Sequence, residues 1–180
     1  MQPEIATLAG GCFWCTEAIF KRLKGVEKVT PGYCGGEMEN PNYYAVSAGN
    51  SGHAEAIQIE FDPGIISYEK LLEIFFHLHD PTTLNRQGND TGSQYRSIVF
   101  YHDLKQRERA TKVKQRIEDE KLYPNRIITE IVPFKRFTQA EDYHQDYYAK
   151  NSDAPYCKVV IDPKITKLYK EFKNEAKEKL

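Results

Sequence analysis

The strongest constraint on the fold is the order in which apolar periodicities change over the first hundred residues. Ile5-Ala6-Thr7-Leu8 reads as a short strand, broken by Gly10-Gly11. From about Cys12 to Lys24 the period becomes helical. Cys15, Ile19 and Leu23 recur at i, i+4 and i+8, and Gly25 suits a left-handed position after the helix. Val26 to Tyr33 reads as a second strand, interrupted by Pro31-Gly32. Ala54 to Phe61 is a third, closed by Asp62-Pro63. Ser67 to His79 has a helical pattern, with Ser67 as N-cap and Leu71, Phe75 and Leu78 on one face. Tyr95 to Tyr101 is a fourth strand. The order β-α-β-β-α-β is the split βαβ arrangement and predicts an α+β, ferredoxin-like fold with a mixed sheet core.

Added helices and a long C-terminal coil are expected around that core. Gly35 to Gly52 is a long loop with a helical turn around Tyr43–Ala48, and Asp80 to Gln94 is a second polar loop. Asp103 opens a long charged helix, with Gln106 in the capping-box position. Ile127 to Val132 reads as a strand. Thr138-Gln139-Ala140-Glu141 has capping-box form and predicts a helix to about Lys150. Asn151 to Pro155 reads as loop and Lys158 to Ile161 as a strand. Asp162-Pro163 then opens a last helix with the stripe Ile165, Leu168, Tyr169 and Phe172. With no repeat or long linker, residues 1–180 are expected to form one domain.

Composition removes several classes of function. Lysine plus arginine is 25 and aspartate plus glutamate is 26, a net charge of −1. That balance offers no electrostatic grip on nucleic acid or an anionic membrane. No apolar run of about 18 residues exists to span a bilayer. Met1-Gln2-Pro3-Glu4 lacks a basic and then apolar leader, so a cytoplasmic location is expected, and the near-zero net charge with one expected domain suggests a monomer. The four cysteines are therefore read as reactive or buried thiols before structural disulfides.

Gly10-Gly11-Cys12-Phe13-Trp14-Cys15 joins a strand to a helix. It should set Cys12 in the first turn, where free N–H groups and the dipole favour a thiolate. The glycines would let backbone approach closely and a substrate reach the sulfur. Cys15, in phase with Ile19 and Leu23, reads equally well as a core residue. In the strand Ala54–Phe61, Glu55 shares the face of Ile57, Ile59 and Phe61. A carboxyl buried there would hold its proton near neutral pH and act as an acid, unless it lies solvated at the strand end. Tyr43 and Tyr95 offer hydroxyl donors, although each alone reads as structural. His53, His77, His79 and His144 are read as ordinary structural residues. A single C-x-x-C without a second pair predicts no zinc site.

The Gly-Gly-Cys-Phe-Trp-Cys block resembles the signature of the type A peptide methionine sulfoxide reductase family. Further matching blocks are Tyr33-Cys34-Gly35-Gly36, Asn42-Tyr43, Gly52-His53-Ala54-Glu55 and Asp80-Pro81-Thr82-Thr83. Asp90 to Ser97 and Glu141-Asp142-Tyr143-His144-Gln145 complete the series. These blocks run in family order over nearly the whole chain. The resemblance implies thiol-dependent reduction of methionine-S-sulfoxide, free or in proteins, with no metal or organic cofactor. By position it makes Cys12 the nucleophile, Glu55 the acid, and Tyr43 and Tyr95 the donors to the sulfoxide oxygen. Asp90 becomes a further acidic group, and Phe13 and Trp14 the wall for the substrate methyl. It also implies that Cys12 becomes a sulfenic acid and then an intramolecular disulfide, reduced by thioredoxin, or by dithiothreitol in vitro. Cys157 resembles the family's recycling cysteine, Cys15 stands second and Cys34 third.

Two other classes compete. A thioredoxin-like thiol–disulfide oxidoreductase explains Cys12-Phe13-Trp14-Cys15 but leaves Glu55 and the tyrosines unused. A binding module could use Phe13 and Trp14 to hold methionine-bearing peptides without turnover. A zinc module ranks last.

Overall fold

The structure is a computed structural model that describes residues 2–178. Its centre is a six-stranded mixed sheet in the order β7-β6-β1-β3-β2-β8. The strands are β1 (Glu4–Gly10), β2 (Val26–Cys34), β3 (Ala54–Phe61), β6 (Ser97–Tyr101), β7 (Glu130–Pro133) and β8 (Phe137–Gln139). β4 (Arg86–Gln87) and β5 (Asp90–Thr91) form a separate small hairpin. All pairings in the large sheet are antiparallel except β6 with β7. The helices are α1 (Phe13–Phe20), α2 (Tyr43–Ser47), α3 (Tyr68–Leu78), α4 (Leu104–Asp119), α5 (Tyr147–Lys150) and α6 (Asp162–Glu171).

Strand alternation divides the sheet into two faces. Leu8, Tyr33, Ile57, Ile59, Phe61 and Val99 face the main core, which α1, α3 and α4 complete with residues such as Phe20, Phe75 and Val113. Fully burying each such Leu, Ile or Phe side chain contributes about 1.5–3 kcal/mol. The other face carries Ala9, Cys34, Ala54, Ala56, Ile98 and Phe100 as a smaller cluster. Ser67 caps α3 by accepting from the Lys70 N–H at 3.1 Å, and Asp103 caps α4 by accepting from the Gln106 N–H at 2.7 Å.

Several expected boundaries shift, each for a tertiary reason. The first helix ends at Phe20 rather than Lys24, because the Lys24 N–H pairs with the Glu175 carbonyl and Leu23 bridges to Ala176. Gly25 does adopt a positive φ of 78°, but in the turn into β2 rather than at a helix end. Pro31 does not interrupt β2. Its carbonyl accepts from Ala140, so its nitrogen points to the same edge, just past the end of β8, where no ladder bond is lost. Tyr95 lies in a 3₁₀ turn, Ser93–Tyr95, ahead of β6. The strand expected at Ile127–Val132 begins at Glu130.

The capping-box reading of Thr138–Glu141 is wrong. Phe137–Gln139 instead adds a strand to the β2 edge, and the Glu141 carboxylate is engaged by Tyr33 and Tyr43. The helix expected to Lys150 reduces to a 3₁₀ turn, Asp142–His144, and the short α5 beyond Asp146, whose φ is +58°. The strand expected at Lys158–Ile161 is a wide helical turn, Cys157–Ile161, continuous with α6. Asp162 therefore does not cap that helix; it accepts from the Tyr148 hydroxyl at 2.6 Å. Pro163 cannot donate to a preceding carbonyl, and the widened turn lies where that break in the ladder falls. The expected C-terminal coil is thus largely helical.

Candidate active site

The site is built where β1 hands over to α1. Gly10 lies against Phe75 and His79, and a Cβ there would fall 2.6 Å from the Phe75 ring. Gly11 has a φ of +90° and abuts Gln87. The close approach the glycines permit is to the side chains of Phe75, His79 and Gln87. Cys12 occupies the N-cap of α1, and its carbonyl accepts from the Cys15 N–H at 3.1 Å.

The Phe13 N–H, free by virtue of standing in the first turn, donates to Glu55 Oε2 at 3.0 Å. This bond places the Glu55 carboxyl beside the residue that follows Cys12. Glu55 is buried, at 2% exposure, so it is not solvated at the strand end. Its pKa is pushed up to about 8: burial is the main cause, the Phe13 N–H opposes it, and the charges of Asp90 and Cys15 add to the rise. Tyr43 and Tyr95 both feel Glu55 and Cys12: burial first, then those two negative groups, push their hydroxyl pKa values up. Asp90 Oδ2 accepts from the Tyr156 hydroxyl at 2.8 Å.

All four cysteines are free thiols. Cys12, Cys15 and Cys157 share one cluster with Ala18 and Ile161. Cys34 sits on the other sheet face, with its Sγ donating to the Arg136 carbonyl at 3.1 Å, and burial pushes its pKa up to about 12. The expected low pKa of Cys12 is overturned. Burial holds it well above the ordinary thiol value, and the hydrogen bond with Cys15 and the charge of Glu55 add to this. Cys15 is the lowered partner, at about 7. The Cys12 hydrogen bond lowers it most, burial opposes, and Lys164 and Tyr156 assist. The helix start alone does not outweigh desolvation at Cys12.

Aromatic rings wall the site. Phe13 is fully buried against Tyr33 and His144, at ring separations of 5.8 and 5.0 Å. Trp14 stacks on Tyr147 at 3.6 Å with an interplanar angle of 6°, and its Nε1 donates to His144 Nδ1 at 3.0 Å. Glu141 accepts from the Tyr33 hydroxyl at 2.7 Å and from the Tyr43 N–H at 2.8 Å. Burial would raise the Glu141 pKa, but these bonds outweigh it and hold the carboxyl below its ordinary value.

Glu141, His144, Tyr147 and Tyr156 escape the sequence-based site list. His144 reads as an ordinary structural histidine there. Its position in the Glu141–Gln145 block was the one available signal. Tyr147 and Tyr156 carry no local signature, because only the return of the C-terminal segment brings them to Trp14 and Asp90. Among the described residues, no group of three or more His, Cys, Asp or Glu side chains is placed to hold a metal ion. Nor, among those residues, is any helix long and apolar enough to cross a membrane.

Residues 4–177 match the family profile described as peptide methionine sulfoxide reductase. The peptide methionine sulfoxide reductase MsrA of Sulfolobus acidocaldarius is 56% identical over 173 residues, covering 96% of this chain and 97% of that one. The reduced form of Mxr1 from Saccharomyces cerevisiae superposes with a TM-score of 0.81 at 35% identity, covering 87% of this chain and 90% of that one. Mxr1 in complex with Trx2 superposes with a TM-score of 0.59 at 28% identity, covering 81% and 85%. A profile spanning nearly the whole chain and an identity above one half over the same length lead to one conclusion: this chain belongs to the peptide methionine sulfoxide reductase family.

Proposed function

We propose that this chain reduces the S-epimer of methionine sulfoxide, free or in proteins, with Cys12 as nucleophile and Glu55 as acid. The observation that carries the reading is the hydrogen bond from Phe13 N–H to the buried Glu55 carboxyl, which sets a proton-bearing acid beside the thiol. A sulfoxide sulfur becomes electrophilic as its oxygen gains a proton. Glu55 supplies that proton, while the Tyr43 and Tyr95 hydroxyls hydrogen-bond the oxygen. Asp90, as a further acidic group, adds to the field that keeps Glu55 protonated. Phe13 and Trp14 hold the methyl group. Cys12 and Cys15 form a coupled thiol pair, within which the Cys12 proton is given up as the Cys12 sulfur attacks the sulfoxide sulfur.

The oxygen passes, as hydroxyl, from the substrate sulfur to the Cys12 sulfur: the Cys12 S–O bond forms while the substrate S–O bond and the transient bond between the two sulfurs break, so methionine leaves as the thioether and Cys12 is left as a sulfenic acid. A second thiol then displaces that oxygen as water, forming a disulfide that thioredoxin reduces by exchange. The reported complex of Mxr1 with Trx2 supports that partner. Cys157 is favoured as the second thiol and Cys15 is next. Both share the Cys12 cluster, whereas Cys34 lies on the opposite sheet face. The chemistry uses no organic cofactor. The order β6-β1-β3-β2 around two crossover helices supports a ferredoxin-like core, and the whole chain is read as one catalytic domain, monomeric and cytoplasmic.

Turnover of the two sulfoxide epimers with dithiothreitol and with thioredoxin tests the activity. The S-epimer should be consumed with either reductant, and failure with both would refute the reading. Peptide mapping of the oxidised enzyme should find Cys12 joined to Cys157; a Cys12–Cys15 bond would reverse the ranking.

A further inference from the structure

Tyr156 immediately precedes Cys157, and its side chain enters the site from the C-terminal segment. Its hydroxyl donates to Asp90 Oδ2 at 2.8 Å and lies 3.7 Å from Cys15 Sγ. Its ring meets Trp14 edge-on, with centroids 5.8 Å apart at 80°. One side chain thus touches the carboxylate, the thiol pair and the indole that surround the hollow. The segment behind it is fastened at two further points. The Asp146 N–H donates to the buried Glu17 carboxylate at 2.8 Å, and the Tyr148 hydroxyl donates to Asp162 at 2.6 Å. With Tyr156 seated, Cys157 is fully buried in the cluster of Cys12 and Cys15.

We infer that Tyr156 is a positioning residue for disulfide closure: its hydrogen bond to Asp90 seats Cys157 beside the reacting thiols, and an entering sulfoxide must displace it. This rests on the reading above, in which Cys157 closes the disulfide. A hydroxyl donating to a carboxylate is a charge-assisted bond, strong enough to bias a short segment between two positions. Tyr156 and the substrate cannot both occupy the space between Asp90, Trp14 and the thiols. The resting protein therefore binds sulfoxide more weakly than an open one would. After methionine leaves, Tyr156 returns and brings Cys157 with it. The Cys157 sulfur attacks the Cys12 sulfenic sulfur, the S–S bond forms, the S–O bond breaks, and the departing oxygen takes the thiol proton to become water.

The two roles have opposite signs, which a merely structural residue would not show. Tyr156→Phe keeps the ring and loses the bond; Tyr156→Ala loses both. Each is tested in the full chain by methionine released in the first turnover without reductant, by dimedone capture of the Cys12 sulfenic acid, by the rate of thiol loss, and by KM. Tyr156→Phe should slow disulfide closure about tenfold, the scale of one hydrogen bond to a charged group, and Tyr156→Ala should slow it further. Dimedone adduct should accumulate, about one methionine should still be released per enzyme, and KM for the sulfoxide should fall. Closure at the native rate in both variants would overturn the inference, as would a rise in KM together with loss of the methionine burst. Absence of the burst in the unaltered protein would instead remove the nucleophile reading, so the two failures are distinguishable.

Discussion

Cys12 and Cys34 are both buried, at 7% and 1% exposure, yet they occupy chemically different places. Cys34 lies among Ala9, Phe100 and other apolar groups, and its thiol is spent on the Arg136 carbonyl. Cys12 stands at a helix start in a cluster that holds two further thiols, with an acid hydrogen-bonded to the neighbouring N–H. Burial raises the pKa of both sulfurs, so burial does not separate them. Their partners do: one sulfur has an inert acceptor, and the other has groups that can take a proton from it and give one to a bound oxygen.

The most forceful way to break this comparison is to exchange the two roles. Cys12→Ser should reduce sulfoxide turnover by at least about a thousandfold, as loss of a nucleophile does, while Cys34→Ser leaves turnover intact. Equal losses in steady-state assays would show that the two thiols are not distinguished as argued.

Next in size is the acid. Glu55→Gln should cost about 10²–10⁴-fold in kcat, the range for losing a positioned proton donor. In the unaltered chain, kcat/KM should decline as pH rises through about 8, where Glu55 gives up its proton. The same shift has a stability sign. The folded carboxyl holds a proton that the unfolded one releases in the ordinary carboxylate range. Stability from this group is therefore present at low pH and is lost as pH rises toward and through about 8. Urea midpoints across that window should fall more steeply for the unaltered chain than for Glu55→Gln.

Glu141→Gln probes the supporting layer on the same sheet face. Removing a charge that accepts from Tyr33 and Tyr43 should lower unfolding free energy by about 1.5–3 kcal/mol and raise KM. Denaturant titration and steady-state kinetics would check both effects. The smallest effect belongs to a helix away from the site. Asp103→Ala should cost about 1 kcal/mol by removing the α4 cap, with kcat unchanged. A drop in kcat there would mean that the site is less locally determined than the contrast between the two thiols implies.

Much of this was legible from local pattern. The bounds of Ala54–Phe61 follow from its strand pattern and the Asp62-Pro63 stop, and two-residue alternation places Glu55 on the apolar face. Ser67 and Asp103 cap the helices they were expected to cap. The failures concentrate from Phe137 onward. Thr138–Glu141 carries the letters of a capping box, but those residues serve a sheet edge and a tyrosine pair instead. Lys158–Ile161 carries three β-branched residues in a row, as a strand would, yet its neighbours continue as helix. Strand propensity over four residues does not outweigh packing against α1.

The chain's local chemistry by itself determined the order of the main strands and helices over the first hundred residues, the thiol at a helix start and the carboxylate on an apolar face. Each depends on neighbours within a few residues. Only the tertiary structure decided which cysteines meet, that burial raises the Cys12 thiol against its helix start, and that Tyr147 and Tyr156 close over Trp14. Those outcomes depend on desolvation and on contacts between segments more than a hundred residues apart, and no local periodicity encodes either.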